Sequence, residues 1–153
     1  MSTTRKWVQQ GSSIGILGTE LNSLAAGSLA LSSSPIDNVQ GQTNLDGYTR
    51  AFIEMNLAAP SGAFASGSTL DIWFIKQVGT QYEDGSSSIT PARPPDLTLP
   101  MQATANAQHV IQDVRLPPGQ LYILARNNQA SGSQALASSG NTVTLQAYTD
   151  QGV

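Results

Sequence analysis

The groups in this sequence that suggest chemistry are few and scattered. His109 is the only histidine, so any relay of nucleophile, imidazole and carboxylate has to run through it. It falls on the polar side of a strand-like stretch, where an exposed or cross-strand-paired histidine is the favoured reading. Carboxylate pairs for glycoside hydrolysis can be drawn from Glu54, Asp71, Glu83, Asp84, Asp96 and Asp113, but no spacing selects two of them. Glu83, Asp84 and Gly85 gather hard oxygens of the kind calcium takes, without the alternating acidic positions of a dedicated calcium loop, so an ordinary turn is favoured. The chain has no cysteine, which removes thiolate nucleophiles, disulfides, iron–sulfur clusters and zinc fingers. There is no P-loop and no dinucleotide-binding glycine pattern after a strand. The sequence therefore points to no enzyme, no cofactor and no metal.

The residues that stand out belong to surfaces. Residues 1–12 form a polar arm that carries Arg5, Lys6, Trp7 and Val8, a basic pair beside one large aromatic. Two readings of Trp7 carry equal weight. It covers the edge of its own sheet, or it anchors into a neighbouring subunit, since aromatics and arginine are enriched at interface hot spots. Trp73 lies on a stretch that is apolar on both faces, and Arg93, Pro94 and Pro95 lie in a proline-rich segment expected to be extended. These eight residues are the candidate interface.

Composition agrees with a surface role. Charged residues are 11% of the 153 residues, whereas about a quarter is usual. In their place, Ser, Thr, Asn and Gln make up 53 residues. Neutral polar groups cost less to desolvate than charges and still satisfy hydrogen bonds against another protein or a glycan. Seven basic residues against ten acidic ones, spread singly, do not provide the phosphate neutralisation that nucleic-acid binding needs. No apolar run approaches the ~20 residues of a membrane span, and the first ten residues lack the apolar stretch of a secretory signal. The expectation is a non-secreted domain that binds neither nucleic acid nor membrane.

The elements that must position these residues are strands. Period-two alternation runs through Tyr48–Leu57, Gln108–Leu116, Leu121–Arg126 and Asn141–Tyr148. A fifth stretch, Leu97–Thr104, puts Leu97, Leu99, Met101 and Ala103 inward, with Pro100 marking an edge or an interruption. Leu70–Val78 is apolar on both sides, which suits a central strand or one whose outer face another chain covers. Ser12–Ser32 is expected to hold two strands that bury Leu21, Ala25, Leu29 and Leu31, with a helical turn over Glu20–Ala26 as the alternative. Turns fall at Asp46-Gly47, Asp84-Gly85 and Pro117-Pro118-Gly119, and longer loops at 58–67, 79–95 and 127–140. Six to eight short strands in one domain predict an all-β, antiparallel, jelly-roll-like β-sandwich over 13–153, with residues 1–12 as an extended N-terminal arm.

Five segments carry a family resemblance. Leu17–Ser28 (LGTELNSLAAGS), Leu70–Ile75 (LDIWFI) with Gly79–Gly85 (GTQYEDG), Arg115–Tyr122 (RLPPGQLY) and Ala137–Thr144 (ASSGNTVT) resemble the capsid decoration, or cement, proteins of tailed bacteriophages. The resemblance spans about residues 7–148 and rests on turn and strand signatures, with no catalytic residue among them. It implies a jelly-roll-like protein on the capsid exterior, assembled in the host cytoplasm. There it would staple major capsid protein subunits against internal DNA pressure, with contacts between neighbouring copies and a terminal arm as clamp. Two alternatives remain open. One is another virion component, from tail, baseplate or head fibre. The other is a carbohydrate-binding adhesion module with a platform drawn from Tyr48, Tyr82, Tyr122 and Tyr148.

Overall fold

The structure, a computed structural model, describes residues 5–9, 13–39, 45 and 47–152, with the backbone alone for 5–9 and 149–152. Among the described residues there are eleven strands, one 3-10 turn and no α-helix, so the all-β expectation holds. Among the described residues no helix is long and apolar enough to cross a membrane.

The strands are β1 (Arg5–Gln9), β2 (Ile14–Leu17), β3 (Leu29–Leu31), β4 (Ile36–Asn38), β5 (Arg50–Leu57), β6 (Thr69–Val78), β7 (Gln81–Tyr82), β8 (Leu97–Pro100), β9 (Gln108–Arg115), β10 (Gly119–Asn128) and β11 (Thr142–Gly152). They form two antiparallel sheets in a sandwich-like arrangement. In the first, β1 and β2 both pair with β11, which pairs with β5, which pairs with β9. In the second, β3 and β4 pair with β10, β10 with β6, and β6 with β8 and the short β7.

Alternation explains the core. β5 buries Ala51, Ile53, Met55 and Leu57 and turns Phe52, Glu54 and Asn56 outward. Val143, Leu145 and Ala147 of β11 meet them on the same face, and Leu70, Ile72 and Phe74 of β6 with Leu121, Ile123 and Ala125 of β10 fill the opposing layer. Large side chains under 2% exposed include Leu21, Ile53, Met55, Leu70, Leu145 and Phe74, the last the bulkiest. Burying a side chain of that kind is worth about 1.5–3 kcal/mol, which is how a chain with so few charges and no crosslinks holds one packed interior.

Several local expectations are corrected. β8 stops at Pro100, which has no N–H for the ladder. Met101 is still buried, but Ala103 is exposed because the chain turns away there. The Gln108 side chain clamps that turn by accepting from the Gln102 N–H and donating to the Gln102 carbonyl. In the early segment Ala25 is exposed, and Leu24 and Ala30 take the core positions. The helical alternative is realised only as the 3-10 turn Thr19–Leu21. Leu29 and Leu31 pack on the opposite face of their sheet, against Trp73, Ile75, Leu124 and Tyr122.

Candidate functional site

That second apolar cluster explains why β6 is apolar on both faces. β6 is central, between β10 and β8, and its outward residues Trp73 and Ile75 are only 3% and 2% exposed. The cover comes from this chain's own segment 83–96. The indole Nε1 of Trp73 donates to the Arg93 carbonyl at 3.1 Å. Gly85 lies so close to Ile75 that a Cβ there would sit 2.5 Å from the isoleucine Cδ1 and 3.2 Å from Pro91.

Arg93 pins the cover. Its Nε donates to Glu83 at 2.6 Å, one terminal nitrogen to Asp96 at 2.8 Å, and the other to the Phe74 carbonyl at 2.9 Å. Asp96 also accepts from the Phe74 N–H, and Glu83 from the Lys76 N–H. Partial burial alone would pull the guanidinium pKa down, but the two carboxylates outweigh it and raise it. Of the candidate interface residues, Trp73, Arg93, Pro94 and Pro95 therefore come together in one capped patch. Trp73 and Arg93 are engaged within the chain, as strut and floor. Pro94 is exposed and Pro95 half-buried, so this patch presents the loop's outer surface and not the indole.

Arg5, Lys6, Trp7 and Val8 lie on β1, whose backbone pairs antiparallel with β11 from Arg5 opposite Gly152 to Gln9 opposite Tyr148. Their side chains lie outside the described residues, as do residues 1–4 and 10–12 of the arm. At the backbone level, residues 5–9 extend the first sheet and do not stand apart from it.

The outer face of that first sheet carries two polar groupings that spacing did not reveal. Arg50 pairs with Asp113, the Tyr148 hydroxyl donates to Asp113 at 2.6 Å, and Arg50 Nε donates to the Tyr148 oxygen at 2.9 Å. The Tyr148 ring is 5% exposed and stacks on Phe52 with centroids 4.9 Å apart. Beside it, Glu54 accepts from Thr144 Oγ1 at 2.8 Å and contacts His109 Nε2 at 2.7 Å. The threonine hydroxyl and, more weakly, the imidazole stabilise the charged carboxylate and lower its pKa. This is not a nucleophile relay, because the hydroxyl faces the carboxylate and not the imidazole. His109 is exposed and belongs to the cross-strand pair its position suggested.

Other candidate chemistry is similarly accounted for. Glu83 serves Arg93, and among the described residues no three histidine, aspartate or glutamate side chains converge as a metal site would need. Gly11 to Gly15 (GSSIG) spells the G-x-S-x-G consensus, but Ser13 leads into strand β2 and not into the strand-to-helix turn that the nucleophile elbow requires. Of the four tyrosines, Tyr148 is buried and Tyr48 packs against the core. Tyr82 and Tyr122 meet edge to face, 5.0 Å between centroids, which gives no flat shared platform. A cleft of about 660 Å³ opens where Gly47–Thr49, Lys76, Asp96 and Val114–Pro118 meet, and one of about 510 Å³ lies among small residues at 58–61 and 135–139. No protein-family model, curated protein or solved structure matches this chain.

Proposed function

We propose that this protein is a structural component of a tailed-phage virion that binds the capsid exterior and cements major capsid protein subunits. The observation that carries the reading is the strand order. Counting β1/β2, β3/β4 and β7/β8, each pair joined to one common neighbour (β11, β10 and β6), as single segments gives eight in chain order. The first, eighth, third and sixth then lie side by side in one sheet, and the second, seventh, fourth and fifth in the other. That order supports the reading of an eight-stranded jelly roll, an architecture found in viral capsid and lectin domains. The analogy is one of fold alone. The resemblance to decoration proteins and a surface of neutral polar residues point the same way.

Mechanistically, a protein that binds only the assembled shell stabilises assembly by mass action. Many weakly bound copies suffice, because shell geometry makes the attachment multivalent. The cap around Pro94 and Pro95 and the loop 127–140 are the surfaces assigned to the capsid, and the protein is placed on the virion exterior after assembly in the host cytoplasm. Co-sedimentation of the intact chain with capsids lacking it tests this, and saturable binding is the expected result. Absence of binding to any shell overturns the reading; association with tails, or binding on a glycan array, would transfer it to the other virion or adhesion classes.

A further inference from the structure

β9 is the open edge of the first sheet. It pairs with β5 along its whole length, Gln108 opposite Leu57 to Arg115 opposite Arg50, and among the described residues no strand pairs with its other side. Edge strands are commonly blunted by lysine, proline or a bulge. β9 has none of these: its sequence is QHVIQDVR and its register is unbroken.

One hydrogen bond fixes which main-chain groups are free. The Leu116 N–H donates to the Thr49 carbonyl at 2.9 Å, so Thr49 and Leu116 form a bonded pair of the antiparallel ladder. Such pairs alternate, which directs the N–H and C=O groups of residues 108, 110, 112 and 114 to β5. Those of His109, Ile111, Asp113 and Arg115 face the open side. The same four residues point their side chains to the outer face, and Ile111 among them is 55% exposed.

We infer that this edge pairs with the β9 edge of a second copy about a two-fold axis at Ile111. Isologous pairing is self-complementary by construction, so the sequence must satisfy itself when reversed. Centred on Ile111, each Ile111 faces the other, and each His109 faces the other copy's Asp113, so apolar meets apolar and imidazole meets carboxylate. Arg115 then lies opposite Ala107. Moving the centre to Gln112 sets His109 against Arg115 and Ile111 against Asp113, and moving it to Asp113 sets carboxylate against carboxylate. All three centres set the free ladder groups opposite one another, and of the three the Ile111 centre alone also matches the side chains. The contact is a short strand pair, well below the area of a permanent dimer, so association is weak and becomes useful where copies are held close together.

Sedimentation velocity of the full chain, up to roughly millimolar concentration, reads the association. A reversible dimer is expected, weakened by about tenfold or more in Ile111→Lys, with monomer unfolding unchanged because the side chain is solvent-facing. The register is tested separately with Ile111→Cys, which introduces the chain's only thiol. Bonded antiparallel pairs place Cα atoms about 5.5 Å apart, within disulfide reach. Ile111→Cys is therefore expected to cross-link far faster than Val78→Cys, an 83% exposed control. A chain that stays monomeric throughout, a dimer indifferent to Ile111→Lys, or cross-linking no faster than the control each overturns the proposal.

Discussion

The indole of Trp73 donates its one hydrogen bond to the main-chain carbonyl of Arg93, twenty residues further along, and that contact seats a loop over a face that would otherwise be exposed apolar sheet. Arg93 in turn reaches back to the Phe74 carbonyl beside Trp73. Indole, guanidinium and carboxylates thus form a closed circuit between β6 and its cover, and the predictions begin from it.

Arg93→Ala removes bonds to Glu83, Asp96 and the Phe74 carbonyl together. The ion pairs are partly exposed, with side chains 22–29% accessible, so their contribution is screened. A loss of about 1–3 kcal/mol is expected from urea unfolding. Arg93→Lys should recover little, since an ammonium cannot span three fixed acceptors. In a Trp7→Phe background, Trp73 emission should shift to the red as the cover loosens.

Asn127 is fully buried, and its side-chain amide donates to the Leu24 carbonyl at 2.9 Å and the Gln134 carbonyl at 3.1 Å. It ties the early segment and the loop 127–140 to the end of β10. Asn127→Leu removes this donor from both carbonyls, of which Leu24 keeps the Leu136 N–H, and takes the acceptor from the Gln129 amide, at a cost of about 1–3 kcal/mol. Hydrogen exchange should rise around residues 24–28 and 134–137 before the sheets are affected.

Acid should act through Glu54 and Glu20. The carboxylate of Glu54 is held below its ordinary pKa of 4.5 by Thr144 and then His109. For Glu20, burial acts upward but is outweighed by hydrogen bonds from its own N–H and those of Gly18 and Ser33, with the Ser33 side chain adding to them, so its pKa also falls. A carboxylate with a depressed folded-state pKa contributes stability that is complete above 4.5 and is lost as pH falls through the folded value. Glu54→Gln and Glu20→Gln are expected to be less stable than the parent at neutral pH and to converge with it in acid. Unfolding midpoints measured across the acid range check this, and a gap that does not narrow contradicts the pairing.

Two glycines give opposite outcomes. Gly85→Ala drives a methyl to 2.5 Å from Ile75, beneath the cap, and should destabilise by about 1–3 kcal/mol. Gly15→Ala on β2 meets nothing within 4 Å and has no left-handed backbone, so it should be neutral or stabilise by about 0.4–1 kcal/mol through the unfolded chain. Thermal melts of the two variants side by side decide this.

The residues of β5, β9, β10 and β11 determine their own strands and their buried faces, because a period of two is a local property and Ala51, Ile53, Met55 and Leu57 carry it without reference to any partner. Pro100 likewise ends its strand through its own missing N–H. What no stretch carries is the identity of the partner strand. Glu54 meets His109 and Thr144 because β5 lies between β9 and β11 in one register, and a shift of a single residue would turn each outward group into the core. The same holds for Tyr148, outward by alternation yet buried against Phe52, and for Leu29 and Leu31, which join Trp73 on the far face of their sheet. The doubly apolar pattern of β6 records that both faces are covered. That the second cover is the chain's own segment 83–96 was decided only when Arg93, beside its near neighbour Asp96, also reached Glu83 and the Phe74 carbonyl of β6, which tertiary folding brings to it.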